Sequence, residues 1–440
     1  MAAARKLFGT DGVRGTAGEF LTAELALGLA RSATARLEAE RPQVLIVRDT
    51  RESGEMLEAA LAAGVSSAGG HALLGGVLPT PGAALLVRRY GFDLAAVVSA
   101  SHNPYEDNGI KFFGPEGTKL ADVHEEQIER LVHEHRSSDA IGRVRDLHGA
   151  PGDYIRELET RFAGLDLSGR RILLDCANGA TYQVTPDIFR RLGADPELTA
   201  VEPDGRNINR DCGSTHVGRL AERVTEGGFD IAFALDGDGD RVLAVDSRGV
   251  VVDGDELMAL AALHLRREGR LPGDGVAVTV MTNYGFHKAM EVAGIEVATT
   301  QVGDRHVLAE LLSRGWAFGG EQSGHIIDTA FVPAGDGTAA ALLTLEALAG
   351  RDLSERDAME KIPQRLVNVR VRDRDALEHA ADVREAIELE HKALEGRGRV
   401  LVRPSGTEPL VRVMVEAPTA DECEAVCDRL VSLVESRLGS

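Results

Sequence analysis

Cysteine is scarce in this chain. Its 440 residues carry four, Cys176, Cys212, Cys423 and Cys427, which is no basis for a disulfide framework. Cys423 and Cys427 fall four apart on an expected helix with no second pair of ligands nearby, a pattern of packing residues rather than of a metal site. Positive charge is also in short supply: 49 Lys and Arg face 70 Asp and Glu, a formal charge of −21. That balance argues against a general nucleic-acid or anionic-membrane binder and requires a locally basic pocket for any anionic substrate. No apolar run approaches the roughly 18–20 residues of a membrane span. The hydrophilic start MAAARKLFGT has no signal-peptide core. The expected setting is a reducing cytoplasm, with neither nucleic acid nor membrane as partner.

What is present is length and rhythm. A chain of 440 residues exceeds what one hydrophobic core usually serves, so three or four domains are expected. Helical and strand-like periods alternate: helix near 22–39, strand 44–47, helix near 53–69, strand 73–77, helix near 80–90, strand 95–98, and a polar helix near 121–136. This βαβ rhythm implies largely parallel sheets covered on both faces. It stops at Gly149, Pro151 and Gly152, restarts at RRILLDCANGA, and restarts again near Asp253. Three units of similar length suggest a threefold structural repeat. From about residue 362 the style changes to a small α+β domain with a long charged helix near 374–394. The expected domains are 1–150, 151–252, 253–361 and 362–440, three similar α/β domains with mostly parallel mixed sheets and a smaller α+β domain.

Chemistry concentrates where strands end. In AAVVSASHNPYEDNGIKFFG a buried-looking strand breaks into Ser99, Ser101, His102, Asn103 and Pro104, and a second strand-like run returns Lys111 toward the same edge. A hydroxyl, an imidazole and an ammonium then share the place where open α/β sheets bind ligands. Taken alone, the loop is equally an ordinary Asn-Pro turn capped by serine. In FDIAFALDGDGDRVLAVD two apolar strands flank Asp236, Asp238 and Asp240, three alternate carboxylates that can converge on one hard cation. An EF-hand loop wants Gly at its sixth position and Glu at its twelfth; Arg241 and Ser247 stand there, and the flanks are strands. With few carboxylates and phosphate chemistry suspected, Mg2+ is favoured over Ca2+ or zinc.

Three further loops stand out. LFGTDGVRG, residues 7–15, can bring backbone amides and the Arg14 guanidinium to a ligand oxygen. GGEQSGH, residues 319–325, offers Glu321 and Ser323 to vicinal sugar hydroxyls, although a polar β-turn reads the same way. RPSGTEPLVR, residues 403–412, supplies Arg403, Ser405, Gly406, Thr407 and Arg412, a set suited to a phosphate dianion.

Taken together, TDGVRG, SASHNPYEDNGIKF, DGDGDR, GDR, GEQSGH and RPSGTEP occur in the order seen in the α-D-phosphohexomutase superfamily, which the whole chain resembles. LFGTDGVRG, NGIKFF and GEQSGH resemble the branch acting on glucosamine phosphates rather than the phosphoglucomutase/phosphomannomutase branch. The resemblance implies a central cleft and interconversion of glucosamine 6-phosphate and glucosamine 1-phosphate through a phosphoserine and a 1,6-bisphosphate, feeding UDP-N-acetylglucosamine synthesis. It implies that Ser101 is the phosphoserine and that Asp236, Asp238 and Asp240 hold one Mg2+ together with the Ser101 phosphate. Arg14, His102, Lys111 and Arg241 then surround the transferring phosphate. Asp304, Arg305, Glu321 and Ser323 meet the sugar, and the loop of Arg403, Ser405, Gly406, Thr407 and Arg412 grips the distal phosphate. Glucosamine 1,6-bisphosphate or a similar sugar bisphosphate is the expected activator. The expected partners are the hexosamine phosphate and, at most, a second copy in a homodimer. NRDCGSTH, residues 209–216, also resembles the family without an assigned role. The alternatives are a phosphoglucomutase/phosphomannomutase and a metal-dependent serine phosphatase using the same serine and aspartates.

Overall fold

The computed structural model describes residues 7–9, 11–134, 140–405 and 409–439. The chain divides into two compact units, one of residues 1–281 with 296–356 and the other of residues 282–295 with 357–440. Among the described residues no helix is long and apolar enough to cross a membrane.

The first unit contains three sheets. The first is built from β1 (Val13–Thr16), α1 (Ala23–Ala35), β2 (Gln43–Arg48), α2 (Ser53–Ser67), β3 (His71–Val77), α3 (Thr80–Tyr90), β4 (Leu94–Val98), β5 (Asp107–Phe113), α4 (Asp122–Leu131) and β6 (Val144–Asp146). The second follows from α5 (Ala150–Arg161), β7 (Ile172–Asp175), α6 (Val184–Arg191), β8 (Glu197–Thr199), α7 (Val217–Gly227), β9 (Ile231–Leu235), β10 (Val242–Asp246) and β11 (Val251–Val252). The third region runs through α8 (Gly254–Arg267), β12 (Gly275–Thr279), α9 (Tyr284–Ala293), β13 (Glu296–Thr300), α10 (Asp304–Arg314), β14 (Phe318–Gly320), β15 (Ile326–Asp328), β16 (Val332–Gly335) and α11 (Gly337–Leu348). Of these, α9 belongs to the second unit.

The strand orders are β1-β5-β4-β2-β3-β6, β11-β10-β9-β7-β8 and β13-β12-β14-β15-β16. One four-strand pattern recurs in all three. A parallel trio (β4-β2-β3, β9-β7-β8, β14-β12-β13) carries an antiparallel strand on its third member (β5, β10, β15). This is the threefold repeat that the sequence rhythm suggests. Strands β4, β9 and β12 are buried at every position, which is why they read as unbroken apolar runs rather than alternating ones.

Two helices escape the sequence reading. The α5 helix has Pro151 in its first turn, where a missing N–H costs nothing, so the Gly-Pro-Gly breaker marks a helix start. The α11 helix, GTAAALLTLEAL, is buried on nearly all sides and therefore lacks a polar face to give it a period. Conversely, the expected helix near 374–394 is a 3-10 turn, Arg374–Glu378, followed by a shorter α-helix.

The second unit joins α9 to β17 (Gln364–Arg370), α12 (Ala381–Ala393), β18 (Arg399–Pro404), β19 (Leu410–Glu416) and α13 (Ala420–Leu438). Its sheet, β17-β19-β18, is wholly antiparallel. Thr419 caps α13 by accepting from the Glu422 N–H at 3.2 Å. Cys423 and Cys427 are buried in the core with Val411, Val413 and Val415, the packing role expected of them.

Candidate active site

The strand repeat places three chemical loops at equivalent positions. The Ser101 loop joins β4 to β5, the Asp236–Asp240 loop joins β9 to β10, and the Glu321–His325 loop joins β14 to β15. Each is the hairpin turn from the last parallel strand into the antiparallel one. The ends of parallel strands leave backbone groups and side chains free to face a ligand, so one architectural position is used three times.

Ser101 is 1% exposed and sits at φ 52°, a left-handed conformation unusual for serine. Several contacts hold it there. Its N–H donates to Ser99 Oγ at 3.0 Å, and Ser99 Oγ donates in turn to Asp49. Arg51, fully buried and paired with Asp49, donates to Ser101 O at 3.2 Å and Asn103 O at 2.6 Å. Asn209 Nδ2 reaches the same carbonyls at 2.9 and 3.0 Å. The unassigned NRDCGSTH segment thus begins with a residue that grips the serine loop. Asp49, Arg51 and Asn209 were not singled out from sequence.

The serine hydroxyl donates to Asp236 Oδ2 at 2.5 Å and lies 3.3 Å from His102 Nδ1. Serine and acidic loop approach closely because position 237 is Gly: a Cβ there would lie 2.4 Å from Ser101 O. Burial, then Arg241 and Arg14, hold the His102 imidazole below its usual pKa, so it is neutral near pH 7.

Asp236, Asp238 and Asp240 are buried, with one ligand atom from each lying within 4.8 Å of the others. Burial, Asp240 and Asp238 push Asp236 well above the carboxylate range. On Asp240 burial also acts upward, but His325, Lys111 and Arg241 outweigh it and hold that carboxyl low. Asp238 Oδ1 and Asp240 Oδ1 are buried without a hydrogen-bond partner among the described residues. Three close carboxylates with two orphaned oxygens fit a hard cation, which would supply the missing contacts and relieve the repulsion. The triad is therefore able to hold a metal ion.

A series of alternating charges runs from Asp238 round to Asp240. Lys111 Nζ, 1% exposed on β5, donates to Asp238 Oδ2 at 2.8 Å and pairs with Asp11 at 3.1 Å. Asp11 also pairs with Arg14 and Lys119. Lys119 continues to Asp304 Oδ2 at 2.6 Å; His325 Nε2 lies 3.7 Å from Asp304, and His325 Nδ1 lies 3.5 Å from Asp240. Burial acts downward on Lys111, but Asp11, Asp238 and Asp240 keep it an ammonium. The same contest on His325, won by Asp240, Asp304 and Glu321, pushes its imidazole up to about 9. Arg14 is positioned by β1, which pairs with β5 at Gly109. Asp11, Lys119 and His325 were missed, although His325 stands inside the quoted GEQSGH motif.

The other site residues of the first unit divide. Glu321 Oε1 accepts from the Gly303 N–H at 3.0 Å, which joins the two loops of the third sheet. Ser323 is exposed at the tip of its turn, and Arg241, half-buried, follows the triad with its Nε 3.8 Å from Asp240 Oδ1. Arg305 points elsewhere: its guanidinium pairs with Asp122 and, at 2.8 Å, with Glu125 on α4.

In the second unit Arg403 on β18 stands opposite Arg412 on β19. Burial, then Arg412, lowers the pKa of Arg403, and Arg412 Nε is buried without a partner. Two adjacent guanidiniums beside the buried Ser405 make an anion-seeking site. Gly406 and Thr407 lie outside the described residues.

Comparison with known proteins places these features in a family. The chain matches Phosphoglucomutase/phosphomannomutase alpha/beta/alpha domain I over residues 5–139, domain II over 152–249, domain III over 253–366 and the C-terminal domain over 366–433. It is 50% identical over 432 residues to a phosphoglucosamine mutase of Moorella thermoacetica, covering 96% of this chain and 97% of that one. Among solved structures, a phosphoglucomutase/phosphomannomutase family protein of Burkholderia thailandensis shares the fold with a TM-score of 0.83 at 22% identity, over 98% of this chain and 97% of that one. N-acetylphosphoglucosamine mutase of Aspergillus fumigatus, solved with GlcNAc-6P and magnesium, aligns with a TM-score of 0.65 at 18% identity, over 98% of this chain and 95% of that one.

Proposed function

The chain belongs to the phosphoglucomutase/phosphomannomutase family, and from that premise we propose that it interconverts glucosamine 6-phosphate and α-glucosamine 1-phosphate. The reaction is an isomerisation by phosphoryl transfer, with Ser101 as the carrier. The single observation that carries this reading is the buried Ser101 hydroxyl held 2.5 Å from Asp236 of the acidic triad, in a chain 50% identical to a phosphoglucosamine mutase.

Transfer breaks the bond between phosphorus and Ser101 Oγ, forms one between phosphorus and the free sugar hydroxyl, and releases the hydroxyl proton. The resulting 1,6-bisphosphate turns around, and its other phosphate returns to Ser101. Lys111 and Arg14 provide positive charge where charge spreads over the phosphoryl oxygens. Because Lys111 is held as an ammonium it serves as an electrostatic group, and the neutral His102 beside Ser101 Oγ takes and returns the proton. Asp236, Asp238 and Asp240 would hold a Mg2+ ion, which would supply positive charge to neutralise the phosphate. Glu321 and Ser323 read sugar hydroxyls in either orientation. The Arg403–Arg412 pair holds whichever phosphate is not reacting, a grip that a serine phosphatase acting on one phosphate has no use for.

The test is turnover of glucosamine, glucose and mannose 6-phosphates side by side, with released inorganic phosphate measured in the same assay. Preferential isomerisation of glucosamine 6-phosphate supports the reading. A preference for glucose or mannose phosphate, or phosphate release faster than isomer formation, overturns it.

A further inference from the structure

We propose that Lys119 is a positioning residue that locks the sugar-facing loops to the phosphate-facing cations, so that the distance between sugar reader and phosphoryl carrier is fixed by one half-buried ammonium. The proposal rests on the mutase reading, because only a group that shuttles phosphate to both ends of one sugar needs that distance held for two substrate orientations.

Lys119 lies in the turn after β5, and its side chain is 13% exposed. Among the described residues its ammonium binds two carboxylates, Asp11 and Asp304, the latter at 2.6 Å. Each carboxylate leads to a different part of the site. Asp11 gathers Arg14 and Lys111, the two cations assigned to the transferring phosphate. Asp304 opens α10; its Oδ1 accepts from the Arg305 N–H at 2.8 Å, and the neighbouring Gly303 N–H donates to Glu321 Oε1 at 3.0 Å. A continuous path therefore runs from Arg14 and Lys111 through Asp11, Lys119, Asp304 and Gly303 to Glu321. The next residue on α10, Arg305, ties the same helix end to Asp122 and Glu125, a few residues beyond Lys119. The start of α10 is thus held twice by one short stretch of chain.

Electrostatics support Lys119 as the link between the two carboxylates. Burial acts upward on both Asp11 and Asp304, yet both carboxyls are held below their usual range, Asp11 by Lys111 and then Lys119, Asp304 by Lys119 and then His325. Without the ammonium Asp11 keeps Arg14 and Lys111 and Asp304 keeps His325 at 3.7 Å, but the cation that draws the two half-buried carboxylates together is lost and they repel one another. Relief requires α10 to retreat, which carries Gly303 and Glu321 away from the sugar. Lys111 pairs with Asp11 at 3.1 Å and His325 Nε2 lies 3.7 Å from Asp304, but among the described residues Lys119 is the cation paired with both carboxylates.

Steady-state kinetics of the full-length enzyme test this on glucosamine 6-phosphate, with glucose and mannose 6-phosphates run beside it; whichever sugar the wild type turns over carries the comparison. Failure on glucosamine phosphate is thereby separated from failure of the present inference. Lys119→Met is expected to lower kcat/KM by about 10- to 100-fold, with most of the loss in KM, and Lys119→Arg to restore most of it. Mn2+ binding by the triad, read by electron paramagnetic resonance, is expected to stay within about 3-fold of wild type, a readout of intact folding independent of turnover. In the double variant with Asp304→Asn the two losses should not multiply, since both break one link. Unchanged KM and kcat in Lys119→Met overturn the proposal. So do multiplicative losses in the double variant, or a fall in kcat alone, which would put Lys119 on the reacting atoms.

Discussion

Arg51 and Asn209 hold the same two carbonyl oxygens, those of Ser101 and Asn103. Arg51 comes from the turn after β2 and Asn209 from the segment between β8 and α7, at distances between 2.6 and 3.2 Å. A left-handed serine persists only where its surroundings over-determine it, and these four hydrogen bonds do so. The proposed phosphoryl carrier is thus fixed by backbone contacts, while its hydroxyl faces Asp236 and His102.

Arg51→Met should therefore unsettle both stability and catalysis. It leaves Asp49 buried and unpaired, a change that costs about 3–5 kcal/mol. Urea unfolding should show a lower midpoint with an unchanged slope, and kcat should fall in the fraction that remains folded. Wild-type stability would mean that Asp49 and Ser99 hold the loop unaided.

Asp238→Asn removes a carboxylate whose second oxygen has no hydrogen-bond partner among the described residues. The expected result is at least a ~10-fold loss of Mg2+ or Mn2+ affinity by isothermal titration calorimetry, with a fall in kcat of about 10²-fold at limiting metal. Lys111, which shares this carboxylate, should lose part of its restraint. Metal affinity equal to wild type would take Asp238 out of the metal site.

Asp336 sets a pH dependence of stability. It caps α11, accepts from Tyr154 Oη at 2.8 and 2.9 Å, and is 3% exposed. Burial pushes its carboxyl up to about 6 from an ordinary 3.8, despite hydrogen bonds from Ala339, Tyr154 and Thr338 that favour the charged form. Between about pH 4 and 6 the folded chain keeps a proton that the unfolded chain has released. Its contribution is fully present below the unfolded value and is lost as pH rises through the folded one, by about 3 kcal/mol in all. The difference in unfolding free energy between wild type and Asp336→Asn should change across that window. A difference that stays flat from pH 4 to 7 would contradict the assignment.

The groups proposed to carry phosphate, hold metal and read sugar stand out in the sequence because each lies where an apolar run stops. β4 ends before Ser101, β9 before Asp236, and β14 before Glu321. The groups that hold them do not. Asp49 and Arg51 sit in RDTRES, which reads as an ordinary charged turn, because burial of a charged side chain depends on tertiary neighbours and leaves no periodic signature. Lys119 is one polar residue in a turn, and its meaning lies in Asp304, far along the chain. Arg305 shows the reverse: motif resemblance assigns it to substrate, whereas its guanidinium is taken up by Asp122 and Glu125. The α11 helix was hidden for a related reason, since complete burial erases the polar face that amphipathic patterning detects.

The most direct test of the central claim is to incubate the full-length protein with a sugar 1,6-bisphosphate and Mg2+ and to locate phosphate by peptide mass spectrometry. The account predicts one phosphate, on Ser101, that leaves when excess glucosamine 6-phosphate is added and reappears in glucosamine bisphosphate, with no such label on Ser101→Ala. Stable label on another residue, or turnover by Ser101→Ala equal to wild type, would contradict it.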